Sequence, residues 1–166
     1  MTPFSRLAET FAELERTSSR LAMVRTLAEL FRALGPDEIQ PAIYLLQGRL
    51  GPSYDAPEFG INERLTTRAL ALFTGHDPTE IERQYREVGD HGVLAERLLK
   101  RHRKGGGLSV ADVYAGLRAV AEASGEGSVE KKIQTLVRLL ERATPLEAKY
   151  LLRIPMGRLR LGVGDA

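Results

Sequence analysis

Apolar residues recur at steps of three and four along most of this chain. Nowhere do they alternate with period two for long enough to predict a strand. Phe4, Leu7, Phe11 and Leu14 predict a helix over Pro3–Arg16, broken by Thr17-Ser18-Ser19, which supplies the next cap. A second helix runs from about Arg20 to Leu34 with Leu21, Val24, Leu27, Ala28 and Phe31 on its expected buried face. Gly35-Pro36 ends it and starts a third, with Asp37 and Glu38 in the first turn, where the helix dipole favours acids, and Pro41 expected near that turn. Five Gly and Pro residues between Gly48 and Gly60 predict a loop. Helices follow over Ile61–Phe73, over Pro78 to about Glu87 behind the Asp77 cap, and over Val93–Arg101. Ser109 with Asp112 caps another over Val110–Ala123, buried through Val113, Leu117 and Val120.

The stretch from Ser128 to Gly162 carries the most information. Ser128 reads as the cap of a helix whose apolar stripe is Val129, Ile133, Leu136, Val137 and Leu140. Off that stripe, Lys131, Thr135, Arg138 and Arg142 share a second face. Thr144, Pro145 and Glu147 form a capping start for a last helix. Met156 to Gly162 is a poor helix: it predicts an extended segment with Arg158 and Arg160 two apart, bracketed by Gly157 and Gly162. That arrangement suits a row of phosphates. The expected fold class is therefore all-α, a compact bundle of about nine or more helices. The Gly105–Gly107 connector marks a candidate division into two halves, each too small to be independent.

Charge sharpens this picture. The net charge is only +2, but from Ser128 onward eight Lys or Arg face four Asp or Glu, so the rest of the chain is net acidic. Nineteen of the 24 basic residues are arginine, the better residue for bidentate phosphate contact. Composition bias or heat adaptation explains such a total equally well, but not its concentration at one end. Forty-three per cent hydrophobic and 28% charged residues describe an ordinary globular chain. The absence of cysteine excludes disulfides and thiolate metal sites and favours an intracellular protein. Charges throughout the first twenty residues exclude a signal peptide.

Enzymatic chemistry finds little support. His76, His91 and His102 fall in turns or a connector, none at metal-ligand spacing with another, and no phosphate-loop or dinucleotide-binding glycine pattern occurs. The acids occupy first turns and helix faces, where solvated surface is the usual role. From the residues alone the chain reads as a helical binding module with a phosphate-seeking end.

Several stretches resemble the N-terminal DNA-binding domain of ATP-dependent DNA ligases. They are Phe11 to Val24, Tyr44 to Pro52 (Y-L-L-Q-G-R-L-G-P), Glu58-Phe59-Gly60-Ile61, Gly89-Asp90-His91-Gly92 with Ala95-Glu96, and Ser124 to Ser128 with Lys131-Lys132. The most specific are Glu147 to Arg153 (E-A-K-Y-L-L-R) and Gly157 to Gly162 (G-R-L-R-L-G). The likeness spans nearly the whole chain, in order; the basic triglycine connector at Arg103–Gly107 lies where members vary.

The resemblance implies a domain, here residues 1–166, that docks on the minor groove of nicked duplex DNA while nucleotidyltransferase and oligonucleotide-binding domains close around it. Those domains use ATP and Mg²⁺, adenylylate a lysine in K-x-D-G, and seal a 5′-phosphate to a 3′-hydroxyl in replication, repair and recombination. None of the five lysines here is followed by x-D-G, so this chain is expected to be inactive alone, with no catalytic residue, cofactor or metal of its own. The matching positions give three DNA contacts: Ser18 with Arg20; Gly127, Ser128, Lys131 and Lys132; and Arg153, Gly157, Arg158, Arg160 and Gly162.

The plain alternatives are that Ser18 is only a cap, that Lys131 and Arg138 are solvated charges, that Arg158 and Arg160 pair with acids of a following domain, and that Gly157 and Gly162 only shape a turn. Tyr44, Tyr114 and Tyr150 read as core. Expected partners are nicked duplex DNA and downstream domains in cis, with a sliding clamp as a further candidate; a monomer with no membrane contact, cytoplasmic and nucleoid-associated in a prokaryote, is implied. The competing reading is a helical protein-interaction scaffold with a basic end.

Overall fold

Capping chemistry sets the helix boundaries. The computed structural model describes residues 1–52, 54–101, 105–159 and 161, and among these the chain forms nine α-helices. They are α1 (Phe4–Arg16), α2 (Arg20–Ala33), α3 (Pro36–Leu46), α4 (Glu63–Thr74), α5 (Pro78–Val88), α6 (His91–Leu99), α7 (Val110–Glu122), α8 (Ser128–Glu141) and α9 (Pro145–Arg153). Side chains of Ser19, Asn62, Asp77, Asp90, Ser109 and Thr144 accept first-turn amides of α2, α4, α5, α6, α7 and α9. Asp90 starts α6 two residues before the expected Val93, because its carboxylate takes the Val93 amide at 3.0 Å. Pro41 lies inside α3, not near its first turn. The bond it forfeits is to the carbonyl of Asp37, an exposed residue whose carbonyl water can satisfy.

One continuous apolar core takes residues from every helix, including Phe4, Leu30, Leu45, Leu70, Ile81, Leu94, Val113, Leu136 and Leu151. The two sides of the triglycine connector therefore share a core. The N-terminus also staples them: the Phe4 amide donates to Leu108 O and the Val110 amide to Thr2 O, around an isolated Pro3–Ser109 bridge. Thr2 is held in turn by Glu38, which accepts its amide and its hydroxyl at 2.7 Å each.

Two predicted buried faces are corrected. On α2 only Leu30 is fully buried; Leu27 and Phe31 pack partly, while Leu21 and Val24 are 70% and 58% exposed. Near its N-terminus the helix meets the core through Met23, not through the Leu21–Val24 face, which projects. Val129 is likewise exposed at the start of α8, whereas Ile133 onward is buried. Tyr150 is core, edge-on to Phe11 at 5.1 Å, and Tyr114 packs partly while donating to Leu50 O. Tyr44 is only half-buried, its hydroxyl accepting from Gln40. No helix among the described residues is long and apolar enough to cross a membrane.

Helices α6 and α9 pack backbone against backbone at Gly92. A Cβ there would collide with Lys149 O and lie 2.7 Å from Arg153 Cγ. This contact fixes the end of α9, and with it the C-terminal segment, against the start of α6.

Candidate nucleic-acid interface

The tip of α8 is built to leave donors free. Its N-cap is Gly127, with φ +78°, a backbone conformation that glycine adopts at little cost. Ser128 is therefore the first helical residue and not the cap: its own amide turns back to Gly125 O at 3.2 Å. Gly127 has no side-chain acceptor, and among the described residues the amides of Val129 and Glu130 have no protein acceptor. Uncapped amides at a helix start carry partial positive charge and suit an anion. Lys131 is exposed beside them without an ion pair among the described residues. Lys132 bends away and donates to Gly60 O at 2.9 Å, tying this tip to the entrance of α4.

At α2, Ser19 and not Ser18 is the cap, its hydroxyl accepting from Ala22 N at 3.2 Å. That leaves the Ser18 hydroxyl exposed and without a partner among the described residues. Arg20 is exposed at the first helical position with no ion pair there.

Arg153 points inward. Its guanidinium gives Nη1 to Glu15 Oε1 at 2.6 Å and Nε to Asp90 Oδ2 at 3.1 Å, and its side chain is only 15% exposed. Glu15 lies in the last turn of α1, three residues before Ser18; Asp90 caps α6; Arg153 closes α9, four residues before Gly157. One arginine thus joins the α2 entrance to the C-terminal segment.

Gly157 then closes the turn that follows α9 with φ +68°, and the Arg158 amide returns to Arg153 O at 2.9 Å. Beyond it Leu159 packs on the core and Leu161 is buried, which anchors this segment to the bundle. Arg158 is half-buried. Met156 Sδ accepts the Thr66 hydroxyl at 3.4 Å, which seats the segment on α4, the same helix whose entrance Lys132 holds. Arg160 and Gly162 lie outside the described residues.

These contacts link the three predicted clusters in series: α2 entrance to α9 end through Glu15–Arg153, and α9 end to α8 tip through α4. The face predicted along α8 is only partly free. Thr135 is buried and donates to Lys131 O, and Arg142 is spent on Gly107 O and Asp112.

A polar cluster around His91 escaped the sequence reading. Tyr85 donates to Glu63 Oε1 at 2.8 Å and stacks on His91, ring centroids 4.0 Å apart. His91 is buried in the first turn of α6, its Nε2 3.0 Å from the Thr67 hydroxyl. Burial pushes its pKa down to about 4, so the imidazole is neutral near pH 7. Burial, then the Glu63 bond, raise the Tyr85 pKa and keep its hydroxyl protonated. Glu63, Thr67, Tyr85 and His91 come from α4, α5 and α6, with no shared sequence period to reveal them. No group of metal-ligating side chains occurs among the described residues.

The family model described as DNA ligase N terminus matches residues 3–166. The chain is 44% identical to DNA ligase 2 of Thermofilum pendens over 98% of its length and 29% of the relative's. It is 44% identical to DNA ligase 1 of Methanosarcina acetivorans over 99% of its length and 28% of the relative's. With a DNA ligase of Aeropyrum pernix the figures are 42%, 99% and 30%. The chain thus spans less than a third of the length of these relatives, and it belongs to the DNA ligase N-terminal family.

Proposed function

We propose that this chain is the module of an ATP-dependent DNA ligase that holds duplex DNA at a nick, gripping phosphates across the minor groove without reading base sequence. The observation that supports it most is the serial linkage of three donor-bearing ends, the α2 entrance, the uncapped α8 tip and the C-terminal segment, through Arg153 and α4. Ser18 and Arg20, then Gly127, Ser128 and Lys131, then Gly157 and Arg158 with Arg160 and Gly162, supply hydroxyl, amide and guanidinium donors. Such groups fix register on a backbone and carry no base preference, as sealing any nick requires. Lys132 and Arg153 take supporting roles, since both already have protein partners. Adenylylation, ATP and Mg²⁺ belong to the rest of the parent polypeptide. Nicked DNA and those domains are the partners, a sliding clamp a further one, and replication, repair and recombination the processes served.

Salt titration of binding to labelled nicked duplex, intact duplex and single strand tests this. Duplex binding should weaken linearly in log–log form. Replacing Arg158 and Arg160 together by alanine should flatten the slope by about two units, for two released phosphate contacts. Affinity that ignores salt, or that is no greater for duplex than for single strand, refutes the reading and favours the protein-interaction scaffold.

A further inference from the structure

Exposed apolar side chains gather at two of the donor-bearing ends. Among the described residues six large hydrophobic side chains stand exposed, and three of them, Leu21, Val24 and Val129, sit in the first turns of α2 and α8. Leu21 directly follows Arg20, and Val129 lies between Ser128 and Lys131. On α2 the two aliphatic residues share a face with two cations: Arg20 lies one turn from Val24, and Arg25 one turn from Leu21, all four exposed. Met23 packs on the core and Ser19 caps the helix, so this face is held in place and left open. Neither arginine has an ion pair among the described residues. Single exposed aliphatics need no explanation, but a pair set among free arginines at a helix start does. The pattern complements a minor groove, which has phosphates along its rims and walls of sugar between them. The flanking arginines favour that anionic occupant over an apolar protein surface.

We propose that Leu21 and Val24, with Val129 at the α8 tip, pack against deoxyribose in the minor groove and make the module selective for DNA over RNA. In an RNA duplex each sugar carries a 2′-hydroxyl, displayed in a wide, shallow minor groove. An aliphatic side chain seated there strips water from that hydroxyl and offers no hydrogen bond in return, whereas C2′ of deoxyribose presents only C–H. Arg20 and Arg25 serve either duplex, since both carry the same phosphates. The apolar contact thus adds sugar discrimination to a grip that ignores base sequence. The inference rests on the DNA-binding reading above.

Leu21→Ala with Val24→Ala removes most of the exposed apolar area on α2 and keeps good helix formers, so the thermal midpoint should stay within about 2 °C of wild type. Binding is compared on nicked DNA and nicked RNA duplexes of one sequence at one salt concentration. DNA affinity should fall roughly 5- to 20-fold, the scale of partial burial of two aliphatic side chains, and RNA affinity less than about 2-fold. The slope of log DNA affinity against log salt should stay within about 0.3 of wild type, because no phosphate contact is lost. Val129→Thr keeps the side-chain shape and exchanges a methyl for a hydroxyl; it should likewise weaken DNA binding and leave RNA binding unchanged. An equal loss on both duplexes, or no loss on DNA, overturns the proposal and leaves salt-dependent duplex binding standing. If the wild-type chain itself shows no salt-dependent binding to duplex DNA, the DNA reading fails, and the sugar contact with it.

Discussion

Arg153→Met separates the holding of an interface from membership of it. The substitution keeps an unbranched side chain and removes the guanidinium that joins Glu15 to Asp90 and lies near the Tyr150 ring. Breaking a fully buried pair by deleting one partner costs about 3–5 kcal/mol. Here the carboxylates are one-fifth exposed, Glu15 retains Lys149 at 4.0 Å, and Asp90 still caps α6, so the cost should fall to roughly 2–3 kcal/mol. With a urea m-value of about 2 kcal/mol/M, the midpoint should drop by roughly 1–1.5 M at unchanged m. Duplex affinity at a fixed salt should fall moderately as the α2 entrance and the C-terminal segment lose registration. The slope of log affinity against log salt should stay within about 0.3 of wild type, because no phosphate contact is removed. A slope reduced by about one unit with stability within 0.5 kcal/mol of wild type would mean that Arg153 leaves its carboxylates for DNA, refuting the holding role.

Further predictions test other parts of the frame. His91 has a folded pKa of about 4 against an ordinary 6.5, so the unfolded chain binds more protons between those values. Stability is full above pH 6.5 and should decline by about 3 kcal/mol as pH falls to 4, a slope that His91→Gln should reduce in pH-dependent urea melts. Gly92→Ala should lower the thermal midpoint by roughly 5–10 °C, because the methyl meets the backbone of α9 and a shift of about 2–3 kcal/mol is needed to admit it. Gly127→Ala meets no atom within 4 Å but must hold φ +78°. It should cost about 1 kcal/mol, read as a small fall in midpoint, and weaken duplex binding more than it weakens the fold.

Local rules made the helices legible. Caps such as Asp77, Ser109 and Thr144, and prolines such as Pro36, Pro78 and Pro145, act within four residues, and the elements begin where they say. Burial was less legible, since periodicity identifies an apolar face without saying whether a neighbour covers it. Leu21, Val24 and Val129 continue the stripes of their helices to positions that no neighbour covers. At the candidate interface the residue types could be read but not their division of labour. Nothing in E-A-K-Y-L-L-R distinguishes an arginine facing a ligand from one facing Glu15, which lies 138 positions away. Likewise the Tyr85–Glu63–His91 cluster draws on three helices and has no local signature.

Arginine excess alone does not mark a DNA surface. Helix α5 neutralises Arg83 with Glu80 and Glu87 and Arg86 with Glu82, and α7 pairs Arg118 with Glu122, all at helical spacing on exposed faces where each pair contributes a few tenths of a kcal/mol. Those arginines fit the bland account of composition. Arg25, Arg64 and Arg97 also lack a carboxylate among the described residues, so the absence of an ion pair does not select the interface either. What singles out the α8 tip is the conjunction of a glycine cap, two amides without an acceptor and an unpaired Lys131. The helices that start with Asp77 and Asp90 instead fill their amides with their own carboxylates. A helix start that forgoes a cap worth about 1 kcal/mol of stability keeps its donors available, and an acidic cap there would repel a phosphate. Gly127→Asp therefore offers the sharpest contrast. The carboxylate caps the α8 amides and offsets part of the φ strain, leaving stability within about 1 kcal/mol, while duplex affinity should fall at least tenfold. Unchanged affinity would show that the α8 tip does not meet the backbone.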